Sequence, residues 1–182
     1  MFEILTVVIG VLLALAVAAI IVALYLYLVT RRIARKAEKA VPPAGRLVTV
    51  DGNRIHYVEQ GDGRPILFIH GLGGTHHHFL YPVFRNFGPG YRLIALDRAG
   101  SGWSTRGAGD DGRVPGQARA IHRFIETLKL EKPLVVGHSL GGAIALQTAL
   151  DYPDDVAGLA LISPLTHFGG GIPEGFRDLW IP

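Results

Sequence analysis

The stretch PLVVGHSLGGAIALQTALDYP, residues 133–153, decides the fold of this chain. It opens with residues 134–136, a short apolar run whose β-branched content is typical of a buried strand. A G-x-S-x-G sequence follows at residues 137–141, and helix-forming residues then continue until Pro153 ends them. The pattern therefore predicts a strand, a sharp turn and a helix in that order.

Ser139 lies at the centre of the predicted turn. In a strand–turn–helix context such a serine is held exposed at the top of a sheet, in a strained backbone conformation. Side chains at Gly137 and Gly141 would collide with the neighbouring strand and helix. The first N–H groups of the following helix would point at a developing oxyanion. We interpret Ser139 as a catalytic nucleophile; the alternative is an ordinary glycine-rich turn.

Composition restricts the classes of protein to which the chain can belong. Its 182 residues allow one globular domain, and the mean hydropathy of +0.31 is high for a soluble one. There is no cysteine, which excludes disulfides and thiol chemistry. The first 40 residues hold five Lys/Arg and two Asp/Glu, and so account for the whole formal charge of +3. This distribution argues against nucleic-acid binding and for a basic cluster beside a membrane.

Residues 1–30 are predicted to form a single transmembrane anchor helix. The segment 4–29 carries no charge, and as a helix it would extend roughly 39 Å, which exceeds the hydrocarbon core of a bilayer. A cleavable signal peptide is the alternative, but the segment lacks a basic start and its apolar run is long for one. The basic residues follow the span, so we expect the C-terminal part in the cytoplasm and residues 31–45 to form a basic juxtamembrane linker.

The remainder of the chain is expected to be an α/β domain, in which strands alternate with helices around a mostly parallel sheet. A hairpin is predicted around 51–53, central strands at 65–69 and 91–96, and a last buried strand at 156–162. Helices are expected over 76–87 and 117–130, the second with apolar residues at Ile121, Phe124, Ile125 and Leu128.

Three motifs, HGLGG at residue 70, DRAGSGWS at residue 97 and GHSLGG at residue 137, each follow a predicted strand. In this order and spacing they resemble the α/β-hydrolase superfamily over about residues 46–168. The resemblance implies a serine esterase or lipase that acts through an acyl-enzyme. It also implies an oxyanion hole formed by the backbone N–H groups of Leu72 and Leu140, with Gly71 and Gly73 allowing the close approach of the backbone.

Several motif residues are given supporting roles by the same resemblance. His138 belongs to the nucleophile turn, and His70 packs under the oxyanion loop. Asp97 and Ser104 brace the loop after their strand. Ala99 stands where many relatives have proline. We also expect His56 and His122 to lie on the surface, and the run His76–His78 to be a poor metal cage, so that neither a metal nor a cofactor is predicted.

The acid and the base of a catalytic triad are not found in the expected places. In this family they follow the serine along the chain, on later strands. His167 is the sole histidine after Ser139, and Glu174 and Asp178 have no predicted strand to present them. We therefore interpret residues 46–166 as a partial α/β-hydrolase domain, truncated after its sixth strand, and residues 167–182 as the start of a lid. We expect the chain alone to be marginally stable and weakly active.

Two alternatives stay open. Residues 71–76 imitate a dinucleotide-binding fingerprint, although His76 replaces its third glycine and the GHSLGG stretch is then unexplained. A non-catalytic, membrane-tethered relative that uses the fold for binding would also account for the missing triad members. The preferred partner is a small acyl substrate, including lipid-like esters. The sequence does not predict the oligomeric state.

Overall fold

The computed structural model describes residues 2–110 and 112–166, and the predicted lid segment 167–182 lies outside them. The chain divides into two compact units, Met1–Pro43 and Ala44–Pro182. The first unit is one long helix and the second contains every strand of the described chain.

Helix α1, Phe2–Ala40, contains 39 residues, none of which is buried. It is long and apolar enough to cross a membrane, a property that it shares with signal sequences. The helix continues through the basic segment expected to be a linker, because Arg, Lys, Glu and Ala are good helix formers. It ends before Pro42 and Pro43, whose rings disfavour helix, so that only residues 41–45 separate it from the first strand.

The second unit is built on a six-stranded mixed sheet with the order β1-β2-β4-β3-β5-β6. Strands β1 (Arg46–Val50) and β2 (Asn53–Gln60) form the predicted hairpin, and β2 pairs antiparallel with β4 (Tyr91–Leu96). Strand β3 (Arg64–Ile69) pairs parallel with both β4 and β5 (Leu134–His138), and β6 (Gly158–Ile162) pairs parallel with β5. The carboxyl ends of four parallel strands therefore meet at one edge of the sheet, where the three motifs begin.

The helices are α2 (His77–Leu80), α3 (Val114–Thr127) and α4 (Leu140–Asp151). Two hydrophobic clusters form the core. One contains Leu67 and Ile69 of β3 with Ile121 and Phe124 of α3, as the helical spacing predicted. The other contains Phe68 of β3 with aromatic side chains of the segment after it. Alternate residues of β3 thus pack in different clusters, as the pleat of a strand buried on both faces requires.

Three expectations about this unit are wrong. The helix expected over 76–87 is only α2 and a 3₁₀ turn at Phe84–Asn86, because Pro82 has no N–H to continue the ladder. His56 is fully buried rather than on the surface, because β2 lies between β1 and β4. Strand β6 is half exposed rather than buried, with Leu161 and Ile162 38% and 47% exposed, because it is an edge strand of the described sheet.

Candidate active site

Ser139 is the residue at which strand β5 turns into helix α4. Its φ of 52° and ψ of −119° lie outside the ordinary regions for a residue with a side chain, which is the strained conformation that the sequence predicted. The Ser139 N–H donates to Ile162 O at 3.0 Å, and its carbonyl accepts from the N–H groups of Gly142 and Leu165 at 2.9 and 3.0 Å. Backbone bonds to β6, to α4 and to the segment after β6 therefore hold the turn, and the residue stays half exposed.

The two glycines of the turn lie where a side chain would meet backbone. A Cβ atom at Gly137 would lie 2.5 Å from Gly141 O, and a Cβ atom at Gly141 would lie 2.6 Å from His70 O and closer still to Ile69 O. Backbone atoms cannot move aside as the end of a flexible side chain can. The start of α4 is therefore packed directly against the end of β3, as expected from the motif.

The oxyanion loop, residues 70–73, comes directly after β3 and lies against this turn. A Cβ atom at Gly71 would be 3.0 Å from Ser139 Cβ and 3.2 Å from His138 Nδ1. Gly73 has a φ of +66°, a conformation that glycine adopts without strain, and Leu72 is 60% exposed. The structure thus brings the first and third motifs into contact at Gly71 and Ser139. The role of Leu72 as an oxyanion donor stays a prediction.

Leu140, the second predicted donor, is the first residue of α4. The N–H groups in the first turn of a helix have no acceptor within that helix, and they lie at the positive end of its dipole. Because the strained turn at Ser139 directly precedes Leu140, this N–H is available beside the serine. Its role in the chemistry stays a prediction, as does that of Leu72.

His70 packs under the oxyanion loop as predicted and is fully buried. Its Nδ1 lies 2.8 Å from Gly71 O, and its Nε2 accepts the N–H of Arg98 at 3.0 Å. These bonds fix one neutral tautomer, in which Nδ1 carries the proton and donates it to Gly71 O. Burial lowers the pKa of His70 to about 4, although the hydrogen bond to Gly71 opposes the change. His70 is thus a neutral brace at physiological pH.

Asp97, at the end of β4, is a buried hub for hydrogen bonds. Asp97 Oδ1 accepts a hydrogen bond from the His76 N–H at 2.8 Å and lies 3.0 Å from His76 Nδ1. Asp97 Oδ2 lies 3.0 Å from His56 Nδ1 and accepts a hydrogen bond from the Trp103 N–H at 3.1 Å. Ser104 Oγ donates to Asp97 O at 2.7 Å. Burial would raise the pKa of Asp97, but the bonds from His56, His76 and Trp103 lower it well below its usual range. The bonds agree with the bracing role that the sequence predicted.

The same three residues form a cluster that could be considered for a metal. Ligand atoms of His56, His76 and Asp97 lie within 4.8 Å of one another, and all three side chains are buried. However, both carboxylate oxygens already take part in two hydrogen bonds each. His56 Nε2 accepts the N–H of Gly45 at 3.2 Å, which leaves the proton on Nδ1 for Asp97. We interpret the cluster as a hydrogen-bonded brace. Sequence reasoning missed it because the histidines come from different elements.

Arg98 is the residue of this region to which sequence reasoning assigned no role. It is 5% exposed, and its guanidinium donates to the carbonyls of His70 and Gly71, each at 3.0 Å, and to Gln117 Oε1 at 2.7 Å. Burial, with a smaller contribution from the charge of Arg106, lowers the pKa of Arg98 to about 10, so the side chain remains a cation at neutral pH. A buried arginine thus holds the loop that lies against Ser139.

No hydrogen bond joins Ser139 Oγ to a histidine or a carboxylate within residues 2–110 and 112–166. His167, Glu174 and Asp178 lie outside that part of the chain. The structure therefore describes a strained turn at Ser139 with the loop 70–73 lying against it, and its described residues do not supply an acid–base pair.

Comparison with known proteins gives consistent results. A family model described as alpha/beta hydrolase fold matches residues 64–180. The dihydrolipoyllysine-residue acetyltransferase component of the acetoin cleaving system of Cupriavidus necator is 36% identical over 146 residues, which are 78% of this chain and 37% of that protein. Lipase 1 of Psychrobacter immobilis is 34% identical over 134 residues, which are 72% of this chain and 42% of the lipase.

Solved structures agree with the sequence relatives. The esterase EaEST from Exiguobacterium antarcticum superposes with a TM-score of 0.65 at 29% identity, over 74% of this chain and 53% of the esterase. The chain thus spans about half of that structure and less than half of the two sequence relatives. The activity of each of these relatives is therefore stated of that whole protein and not of this chain.

Proposed function

Because the chain belongs to the α/β-hydrolase fold family, as its three motifs predicted, we propose that it is the nucleophile-bearing part of a membrane-anchored serine hydrolase. The observation that carries this proposal is the strained turn at Ser139, which lies between β5 and α4 and in contact with Gly71 of the oxyanion loop. A strained backbone at a side chain that remains accessible is typical of a catalytic nucleophile.

The proposed reaction is acyl transfer through Ser139. Its Oγ forms a bond to the substrate carbonyl carbon while the hydroxyl proton passes to a base, and the carbonyl oxygen becomes an oxyanion. The N–H groups of Leu72 and Leu140 stabilise this oxyanion, and losing one such donor typically costs about 3 kcal/mol of transition-state stabilisation. The bond to the leaving group then breaks to give an acyl-enzyme, which water hydrolyses.

The proposed substrates are carboxylic esters, with thioesters and amides as related acyl compounds. A serine, rather than an aspartate, at the turn favours this chemistry over the opening of epoxides. The names of the similar lipase and esterase agree with an ester substrate. A membrane anchor would place the site close to lipid-like esters, and no cofactor is needed for the reaction.

The acid and the base of the triad are proposed to come from outside the described residues. This is why a non-catalytic relative, which uses the same fold to bind a ligand, is a second candidate. The observation that favours it is that Ser139 Oγ is hydrogen-bonded to no histidine or carboxylate within the described part of the chain. The two candidates differ in whether Ser139 reacts.

The test is hydrolysis of a p-nitrophenyl ester, measured with this chain and with the longest natural polypeptide that contains it. We expect hydrolysis by the longer protein and little by the 182-residue chain. Ser139→Ala should reduce the activity of the longer protein at least about a thousandfold, because the covalent step is lost. Ser101→Ala, a serine in the loop after β4, is the matched control and should leave the activity unchanged.

Three results would change the proposal. Hydrolysis that survives Ser139→Ala in the longer protein would contradict Ser139 as nucleophile. No hydrolysis by the longer protein would favour the binding candidate. Strong hydrolysis by the 182-residue chain that depends on Ser139 would show that a base lies within it, and the assignment of the triad to other residues would be wrong.

A further inference from the structure

The Gly71–Leu72 peptide unit is held from its carbonyl side. Gly71 O accepts hydrogen bonds from three donors: His70 Nδ1 at 2.8 Å, Arg98 Nη2 at 3.0 Å and the Gly74 N–H at 3.3 Å. A carbonyl oxygen has two lone pairs, so three donors saturate it. Few orientations of this peptide plane can satisfy all three donors at once, and the plane is therefore fixed.

Fixing this carbonyl also fixes the direction of the neighbouring amide. The C=O of Gly71 and the N–H of Leu72 belong to one planar peptide unit and point in opposite directions across a trans bond. Donors on the carbonyl oxygen therefore hold the Leu72 N–H on the opposite side of the plane. Hydrogen bonds to a carbonyl also polarise the peptide, so the N–H becomes a stronger donor.

Arg98 contributes to this arrangement in two ways. Its guanidinium binds both His70 O and Gly71 O at 3.0 Å, so the planar fork spans two consecutive carbonyls of the loop. Its backbone N–H donates to His70 Nε2 at 3.0 Å, which fixes the tautomer whose Nδ1 donates to Gly71 O. The residue therefore acts on the Gly71 carbonyl directly and through His70.

The charge of Arg98 has no ordinary structural explanation. Its side chain is almost fully buried, yet no carboxylate lies within ion-pair distance of it in the described part of the chain, and its three acceptors are neutral. Burying an unpaired charge costs several kcal/mol, and core positions rarely tolerate that cost without a function. A cation directed at the loop beside Ser139 would be matched by negative charge that develops there during the reaction.

We propose that Arg98 is a positioning residue of the acyl-transfer site. Its guanidinium holds the Gly71 carbonyl so that the Leu72 N–H stays directed at the oxyanion, and its positive charge stabilises that oxyanion. This inference rests on the proposed function, since it assigns Leu72 as a donor in the reaction of Ser139. Arg98 itself touches neither the substrate nor Ser139.

The test uses the full chain in detergent micelles and two readouts. The first is the rate constant for labelling of Ser139 by a fluorophosphonate, whose transition state places negative charge on oxygen as acyl transfer does. The second is the ¹⁵N chemical shift of the Leu72 amide, which responds to hydrogen bonding at the carbonyl bonded to it. The second readout needs no reaction, so it also applies to a chain without a base.

Arg98→Met should reduce the labelling rate constant roughly 10- to 100-fold, less than the 100- to 1000-fold typical of removing an oxyanion donor outright, with little change in the probe concentration that half-saturates the rate. Arg98→Lys keeps the charge but cannot span both carbonyls, so its rate should lie between those of Arg98→Met and the unchanged chain. Both Arg98 variants should shift the Leu72 amide signal.

Two further variants separate the causes. Arg106→Met removes an exposed arginine of the same loop, one that contacts Ala99 O and not Gly71. The labelling rate constant of this variant should stay within twofold of that of the unchanged chain. Gln117→Glu places a carboxylate beside Arg98 Nη1 and keeps the hydrogen bonds of the guanidinium to the two loop carbonyls. It should slow labelling because it neutralises the charge, and leave the Leu72 signal in place.

The outcomes distinguish this inference from the proposed function. If Ser139 is labelled and Arg98→Met remains within twofold of the unchanged chain, the inference is wrong while the proposed function stands. If Ser139 is not labelled at all, the amide signal decides: an unchanged Leu72 signal in folded Arg98→Met overturns the inference, and a shifted one supports the positioning role. If Arg98→Met does not fold, Arg98→Lys decides by the same criteria, and Gln117→Glu decides by its labelling rate, since a rate within twofold of that of the unchanged chain would contradict the role of the charge.

Discussion

Two neighbouring buried charges at the end of β4 serve different purposes. The Asp97 carboxylate takes part in four hydrogen bonds with three residues, two of them histidines. Within the described residues, the Arg98 cation donates to three neutral acceptors. The hydrogen bonds of Asp97 brace the loop after β4, whereas those of Arg98 hold the loop after β3. His70 connects to both Arg98 and the Gly71 carbonyl, and therefore has to remain neutral.

We expect the requirement for a neutral His70 to appear in the pH dependence of stability. The folded chain disfavours its protonation, with a pKa of about 4 against 6.5 for the unfolded chain, so the unfolded state binds more protons between these values. The stabilisation that neutral His70 contributes is fully present above pH 6.5 and is lost as the pH falls toward 4. Its loss should reduce the free energy of unfolding by about 3 kcal/mol over that range.

Urea unfolding followed by tryptophan fluorescence between pH 4 and 7 measures this effect. His70→Asn retains a side-chain donor but does not titrate, so its free energy of unfolding should depend less on pH over this range than that of the unchanged chain. Equal pH dependence of the two proteins would show that His70 does not carry the effect.

Helix α4 is positioned by close backbone contact rather than by side-chain packing at its start. Gly137, Gly141 and Gly142 allow the first turn of α4 to approach β3, β5 and Pro164. This approach places the positive end of the helix dipole beside Ser139. At the other end Tyr152 N–H donates to Thr148 O, and Pro153 follows.

Gly141→Ala tests the contact between α4 and β3. A methyl group there would be 2.6 Å from His70 O, so the helix would have to shift. Alanine favours a helix over glycine by only about 1 kcal/mol, whereas overpacking of this kind costs about 1–3 kcal/mol or more. We expect a net loss of about 2 kcal/mol in the free energy of unfolding, and slower reaction at Ser139.

The matched control is Gly88→Ala, where an added Cβ atom meets nothing within 4 Å. It should change the free energy of unfolding by less than about 0.5 kcal/mol, as exposed substitutions usually do. Both variants are measured by urea unfolding. A Gly141→Ala protein as stable as the control would mean that the end of β3 can move to accommodate the methyl group.

At the scale of the molecule, the chain is a long apolar helix and a sheet unit, which we propose to be an anchor and a hydrolase unit. No residue of α1 is buried, which suits a helix that has an apolar medium around it. The sheet unit exposes apolar residues of β6 at its edge, including Leu161 and Ile162. An exposed apolar edge strand offers unpaired backbone groups to which another strand can pair.

The proposed anchor predicts where the chain is found and how it is oriented. The protein should remain in the membrane pellet after carbonate extraction, with an intact N-terminus by mass spectrometry. Protease added outside intact cells should spare the sheet unit, because cations such as those at residues 31–39 favour the cytoplasmic side of a membrane. Replacing Arg31, Arg32, Arg35, Lys36 and Lys39 with glutamine should give mixed orientation. A mature N-terminus after residue 29 would instead identify a signal peptide.

The sequence alone determined the sharp turn at Ser139, the hairpin, the central strands and the family. These features depend on signals between near neighbours: G-x-S-x-G between an apolar run and a helical stretch, or alternation on either side of Asp51 and Gly52. Such signals have a local steric cause and can be read without the rest of the fold. The helix expected over 76–87 is wrong for a local reason as well, because Pro82 interrupts the segment.

Only the tertiary structure decided which distant residues meet. His56 and Asp97 are 41 positions apart and Gly71 and Arg98 are 27 apart, yet the pairing of β4 with β2 and β3 brings each pair into hydrogen-bonding distance. Alternation along a strand shows that two faces exist, but it does not show which strands will be neighbours. The order of strands in the sheet therefore decided that His56 is buried and that Arg98 holds the oxyanion loop.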